Sequence, residues 1–249
     1  MTTDPSPDPN PHAKLSKARS LARIRDLGIA PKTIFDIGVA TGTRGLYDVF
    51  PDVRYVLVEP LDEAQTFVQR LVDEHPGSIG IQAAAGRAPG EGTFTVEPGL
   101  SGSSFLLKHK NGVPRQVKIV TVDDLVKEHA LEGPFLLKLD VQGFELEVLA
   151  GAEETLKDTV AVIAEASLWA DVKGKGMATL ISLMTWFNDH GFVLYDIAQI
   201  VRRQLDGAIS ETDLVFCPAN SPLRQVTRYK TDAHQQEVIV QRRKKFGLS

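Results

Sequence analysis

Thr33-Ile34-Phe35-Asp36-Ile37-Gly38 is a short apolar run that stops in a glycine-rich turn. A second run of the same kind, Arg54-Tyr55-Val56-Leu57-Val58-Glu59, follows one helix length later and is closed by Pro60. Residues 42–50 between them read as a helix, with Pro51 just beyond it. Strand, helix and strand at this spacing make a βαβ unit, which commits the chain to a parallel sheet covered by helices. The rhythm continues. Leu61, Ala64, Phe67, Val68, Leu71 and Val72 mark one face of a helix, and Ser78 to Ala84 is a weaker third strand. Phe135 to Val141 is a strong strand, 143–156 a helix, Val160 to Ala166 a strand, and 177–190 an amphipathic helix ending at Gly191.

The ends and one insertion depart from that rhythm. Residues 1–12 carry four prolines and no apolar run, so they read as a disordered leader rather than a secretory signal. From Ala13 the spacing of Leu15, Ala18, Leu21, Ala22 and Leu27 is helical, with Gly28 as the stop. The stretch 86–120 reads as an insertion with a hairpin built from Gly92–Val96 and Gln116–Val120, and Thr121 is placed to cap the helix that follows. Phe192–Ile197 and Leu214–Cys217 form a late antiparallel pair around Asp206-Gly207. One α/β domain over 13–223 results, followed by a basic tail, 224–249. That tail reads as solvated, although Val238-Ile239-Val240 suggests that part of it docks.

Composition narrows the function classes. With 43% hydrophobic residues in 249, a sizeable core is available. The single cysteine, Cys217, excludes an intramolecular disulfide framework and a Cys-rich zinc site, which fits a reducing, cytoplasmic setting. No apolar run approaches the roughly 18–20 residues of an integral membrane segment. A net charge of −4 gives no global argument for a nucleic-acid partner.

Three motifs carry chemistry. In the first, Asp36 and Gly38 are followed by Gly42 and Gly45, a G-x-x-x-G-x-x-G spacing. That spacing fits the dinucleotide fingerprint poorly, which argues against a nucleotide-dependent oxidoreductase. A glycine turn after a strand still brings backbone N–H groups close to a ligand, and Asp36 can offset the positive charge of a methionine moiety there. In the second, Glu59 ends the next strand 21 residues after Gly38, where a carboxylate can accept hydrogen bonds from ribose hydroxyls. Pro60 lies beside it. In the third, Leu137-Lys138-Leu139-Asp140-Val141-Gln142-Gly143-Phe144-Glu145 delivers Asp140 to the carboxyl edge of the sheet before a glycine turn opens a helix.

With that motif extended to Gly151-Ala152, the chain resembles the FkbM family of S-adenosylmethionine-dependent methyltransferases. The family signature is close to K-[IL]-D-[VI]-E-G-x-E-x-x-[VA]-L-x-G-A. The likeness covers about residues 31–217. It implies the Rossmann-like class I methyltransferase fold: an α/β, seven-stranded, mostly parallel sheet with helices on both faces, order 3-2-1-4-5-7-6, and an antiparallel last strand. It also implies S-adenosyl-L-methionine as cofactor and a hydroxylated small molecule, a sugar or other metabolite, as acceptor. Two positions differ from the pattern: Gln142 stands where the family usually has Glu, and Val39-Ala40 replaces the commoner Ala-Asn.

Under this reading Asp36, Gly38, Gly42, Glu59, Pro60, Ala83, Ala84 and Asp140 are the cofactor-side candidates. Asp140 is also the first candidate to orient or deprotonate the acceptor hydroxyl; otherwise it is a cofactor-side or capping residue. Glu165, ending the fifth strand, can hydrogen-bond the acceptor, and His109 in the insertion is an alternative base. Gly102-Ser103-Ser104 either lines the acceptor pocket or is only a turn, and Trp169 and Trp186 are packing residues. No third ligand joins Asp140 and Glu165, so no metal site is expected. An amino-methyltransferase is disfavoured, because Asp140-Val141-Gln142-Gly143 stands where those enzymes often carry a Pro-Pro loop. A scaffold that binds the cofactor without turnover is the other reading, and Gln142 is the one feature that favours it.

Overall fold

β1 (Thr33–Ile37) lies in the interior of the sheet, and all five of its residues are buried. A strand that offers water neither face is stable between parallel neighbours with helices on both sides. Its neighbours are β2 (Arg54–Val58) and β7 (Phe135–Leu139), both parallel and in unbroken register. The structure, a computed structural model, describes residues 14–107, 110–169, 176–225 and 231–248. The expected leader, 1–12, and His109 therefore lie outside the described residues.

β3 (Ile79–Ile81) continues the sheet beyond β2, and β8 (Thr159–Ser167) continues it beyond β7. β10 (Ile209–Pro218) and β9 (Phe192–Arg202) complete the order β3-β2-β1-β7-β8-β10-β9. β10 is antiparallel to both neighbours. This is the arrangement that the resemblance implied, including the antiparallel last strand.

Side chains alternate across the strands and build two cores. On one face α1 (Lys17–Asp26), α2 (Arg44–Val49) and α3 (Gln65–Glu74) pack Ile24, Leu46 and Val68 in the core that holds Ile34 and Leu57. On the other, α4 (Val122–Glu128), α5 (Glu145–Ala150), α6 (Glu153–Leu156) and α7 (Leu180–Asp189) bring Leu125, Val148 and Phe187 together with Phe35 and Leu137.

Two local expectations need correction. The helix expected over 143–156 is two short helices broken at Gly151: its carbonyl accepts from the Asp123 amide at 3.0 Å, and the Asp123 carboxylate caps the second helix by accepting from the Glu154 and Thr155 amides at 3.1 and 2.8 Å. The third strand ends at Ile81. The Ala83 amide donates back to the Ile81 carbonyl at 3.0 Å, and the chain turns into a second, three-stranded sheet. That sheet is β4 (Ala84–Ala85), β6 (Val113–Val120) and β5 (Gly90–Val96), with β5 and β6 as the antiparallel pair expected in the insertion. The tail segment Val238-Ile239-Val240 is not buried among the described residues. It lies on α8 (Asp232–Lys245), which has no buried residue. No helix among the described residues is long and apolar enough to cross a membrane.

Candidate active site

The carboxyl ends of β1, β2, β7 and β8 open into one cavity of about 560 Å³, within the usual range of small-molecule sites. The small sheet and the segment between β5 and β6 supply its apolar wall, including Ala84, Phe94 and Phe105.

At the β1–β2 end the chain turns sharply. Gly38 has φ +80°, and a Cβ there would lie 1.9 Å from the Asp140 carbonyl oxygen, so no side chain fits. The Gly42 amide donates to the Val39 carbonyl at 2.7 Å and closes the turn. Glu59 is buried beside it. Its Oε2 accepts from the Ala40 amide at 2.8 Å and its Oε1 from the Leu61 amide at 3.0 Å. Burial pushes this carboxyl up from its ordinary value, and the two backbone donors oppose that only in part. Each carboxylate oxygen retains a lone pair for a further donor. Gly38, Gly42, Glu59, Pro60 and Ala84 all line the cavity.

Two residues expected in this group do not line it. Asp36 is completely buried beneath the floor, held by the Tyr47 hydroxyl and by the Lys138 ammonium, 2.9 Å from its Oδ1. Its charge is already matched by a lysine, so it is not presented to a cationic ligand. Ala83 is buried within the turn between the two sheets, and Ala85, its second neighbour, takes the place at the wall.

At the β7–β8–β10 end the site is made of side chains. Lys138, interior to β7, donates to the Gly38 carbonyl at 2.8 Å and lies 3.6 Å from Asp140 Oδ2. Burial alone would lower its pKa, but the negative charges of Asp36 and Asp140 outweigh burial and raise it, so the lysine is charged. Lys17, at the start of α1, reaches Asp213 of β10 at 3.0 Å and Asp140 at 4.0 Å. Burial would push the Asp140 carboxyl up; Lys138, Lys17 and the Gln142 amide together hold it below the usual carboxylate range. Glu165 is the opposite case. Burial, then the negative charges of Asp140, Glu211, Glu145 and Asp213, push it up to about 9. Glu145, buried at the start of α5, is pushed up to about 7 chiefly by burial.

The structure thus brings Asp140 and Glu165 together in one cavity, with Gln142 between them. Ser103 lines the cavity, whereas Ser104 turns inward and donates to the Gln142 carbonyl at 2.9 Å. Trp169 stacks under Arg203 and Trp186 against His190, both outside the cavity lining. Among the described residues no group of three or more His, Cys, Asp or Glu side chains could hold a metal ion.

Sequence reasoning missed Lys17, Lys138 and Asp213. Lys138 did carry a signal: a lysine between leucines in an otherwise apolar strand must find buried partners. Lys17 and Asp213 carried none, because their pairing joins residues almost two hundred positions apart.

The methyltransferase FkbM domain matches residues 36–194. The hexuronic acid methyltransferase AglP of Haloferax volcanii is 30% identical over 149 residues, 60% of this chain and 61% of the relative, so the chain spans under two thirds of that protein. Among solved structures, the N-methyltransferase NodS of Bradyrhizobium japonicum aligns over 81% of this chain and 85% of its own, with TM-score 0.47 and 9% identity. The precorrin-6y C5,15-methyltransferase of Geobacter metallireducens aligns over 80% and 86%, with TM-score 0.40 and 12% identity. Such distant likenesses do not bear on chemistry. The family match spans well over half of the chain, and with it the signature around Asp140: the chain belongs to the FkbM family of methyltransferases.

Proposed function

We propose that the protein transfers a methyl group from S-adenosyl-L-methionine to a hydroxyl of a sugar or another small hydroxylated metabolite. One observation carries the reading: a single cavity joins a backbone-anchored carboxylate, Glu59, to an ionised carboxylate, Asp140, in a chain of a methyltransferase family.

The residues present fit the donor. The Gly38–Gly42 turn allows close backbone approach, Glu59 has lone pairs for ribose hydroxyls, and Leu61, Ala84 and Phe94 offer apolar contact to a flat base. Bound there, S-adenosylmethionine supplies a methyl group on a positively charged sulfur, an electrophile that needs chiefly an aligned nucleophile. Alignment is the part that Asp140 supplies. It accepts the hydrogen bond of the acceptor hydroxyl and so fixes where the oxygen lone pair points. A carboxylate held below its usual range is a weak base, so it takes the proton once the new carbon–oxygen bond has made that proton acidic. Its side chain is 29% exposed, and the proton leaves from there to water. The hydroxylated, saccharide-like acceptor is supported by the relative AglP, described as a hexuronic acid methyltransferase.

The test is calorimetry with S-adenosylmethionine and S-adenosylhomocysteine, followed by mass analysis of products from a panel of hydroxylated acceptors. Micromolar binding and a mass gain of one methyl are expected. No heat with either ligand ends the reading. Binding without product on any acceptor favours the scaffold that holds the cofactor without turnover.

A further inference from the structure

Gln142 sits on the turn after β7 with φ +53°, a conformation that non-glycine residues seldom adopt. The turn is pinned there by the Ser104 hydroxyl on its carbonyl. From this position one amide nitrogen, Nε2, donates to Asp140 Oδ1 at 3.2 Å and to Glu165 Oε2 at 3.0 Å. A single nitrogen within that reach of both groups holds two carboxyls side by side on the wall of one cavity.

Two adjacent carboxyls do not both ionise readily. The surroundings decide which one does. Lys138 and Lys17 lie on the Asp140 side. Glu165 of β8 faces Asp140, Glu145 from α5, and Glu211 and Asp213 from β10, and it keeps its proton to about 9. At neutral pH the pair is therefore one acceptor and one donor, set next to each other.

We propose that Asp140, Gln142 and Glu165 form one clamp for two oxygens on adjacent carbons of the methyl acceptor. Asp140 receives the hydrogen bond of the hydroxyl to be methylated. The Glu165 carboxyl donates to the oxygen on the neighbouring carbon. Gln142 is a positioning residue that keeps the two in register. The substrate class is then a vicinal diol, as on a sugar ring, and an isolated alcohol is a poor acceptor. This rests on the methyl-transfer reading above and adds to it a rule for which hydroxyls are chosen.

The test uses the full chain and two readouts. The first needs neither donor nor acceptor: infrared difference spectra of the wild type against Glu165→Gln, from pH 6 to 10. A protonated-carboxyl band belonging to Glu165 is expected at pH 7 and is expected to fade near pH 9. Its absence at pH 7 overturns the clamp. The second compares kcat/KM on the methyl glycosides of glucose, mannose and glucuronic acid with that on their monodeoxy counterparts lacking the neighbouring hydroxyl. The wild type should prefer the diol by about 10- to 100-fold, the range for one hydrogen bond whose buried partner is left unpaired. Glu165→Gln, which still donates, should keep most of that preference at pH 7 and hold it at pH 10, where the wild type loses it. Glu165→Ala and Gln142→Ala should both reduce it to about twofold or less, by the same arithmetic.

Equal rates on diol and deoxy glycosides in the wild type overturn the clamp and leave methyl transfer standing. Turnover on none of the diols also overturns it. Calorimetry with S-adenosylhomocysteine on the same preparation then tells whether the methyl-donor reading falls as well.

Discussion

At the β1–β2 end of the cavity the ligand-facing groups are mostly backbone: a turn made possible by Gly38 and Gly42, and a carboxylate, Glu59, fixed by two amides. At the β7–β8–β10 end they are side chains, Lys17, Lys138, Asp140, Gln142 and Glu165, with Asp213 buried behind them as the partner of Lys17. The first end is assembled from residues close in sequence, the second from four separate segments: α1, β7 with its turn, β8 and β10. Two requirements explain the difference. A turn needs only permissive dihedral angles, which neighbouring residues supply. A group of buried charges needs partners from wherever the fold can bring them.

Lys138 touches both ends, so replacing it is the strongest way to break the comparison. Lys138→Met leaves Asp36 with no cation beside it, at 0% exposure. Removing one partner of a buried pair costs about 3–5 kcal/mol. Urea denaturation should show a loss of that size, and a loss below about 1 kcal/mol, the range of an exposed pair, would mean that the Asp36–Lys138 contact adds little to the fold.

Asp140→Asn separates the two ends. Turnover should fall about 10²-fold, while affinity for S-adenosylhomocysteine stays within about twofold. Loss of affinity with unchanged turnover would move Asp140 to the donor side and erase the distinction. Glu59→Ala is the mirror experiment. Removing a charged acceptor of hydrogen bonds costs about 1.5–3 kcal/mol, roughly 10- to 150-fold in affinity for S-adenosylhomocysteine by calorimetry. Unchanged affinity would remove Glu59 from the donor site.

The last test concerns protons. Glu145 titrates near 7 in the folded chain against 4.5 for an ordinary glutamate, so between those values the folded state holds a proton that the unfolded state has released. Stability from this group is thus full below about pH 4.5 and falls as pH rises towards 7, by at most about 1.4 kcal/mol per pH unit. Glu165, pushed to about 9, extends the decline in the same direction. Denaturation midpoints at pH 5, 6, 7 and 8 should decrease, and Glu145→Gln should flatten the portion below pH 7. A midpoint that rises across this range would show that Glu145 is ionised in the folded chain.

The elements legible in the sequence were those whose cause is local. Thr121 reads as an N-cap, and its hydroxyl accepts from the Asp124 amide at 3.0 Å. β1, β2, β7 and β8 announce themselves as apolar runs, and their order follows from the alternation with helices. What escaped depends on distant partners. The helix breaks at Gly151 because Asp123, from the preceding helix, takes its carbonyl and caps the residues that follow. Asp36 is taken out of the ligand's reach by a lysine about one hundred residues away. β9 continues to Arg202 although its apolar run stops at Ile197, because pairing with β10 sustains a polar edge strand. In the site, glycine and carboxylate spacing located Glu59 and Asp140, but nothing in the spacing told that Gln142 would bridge Asp140 to Glu165.

Gly38 is tied in three ways: its amide donates to the Val58 carbonyl at 2.9 Å, its carbonyl receives Lys138, and its Cα faces the Asp140 backbone with no room to retreat. The ordering entropy of this turn, about 1–2 kcal/mol for each residue fixed, is met when the chain folds and is not charged again when a ligand arrives. A small molecule entering the cavity meets a surface already in its bound shape. More of its contact energy then appears as affinity than it would at a loop that must be ordered first.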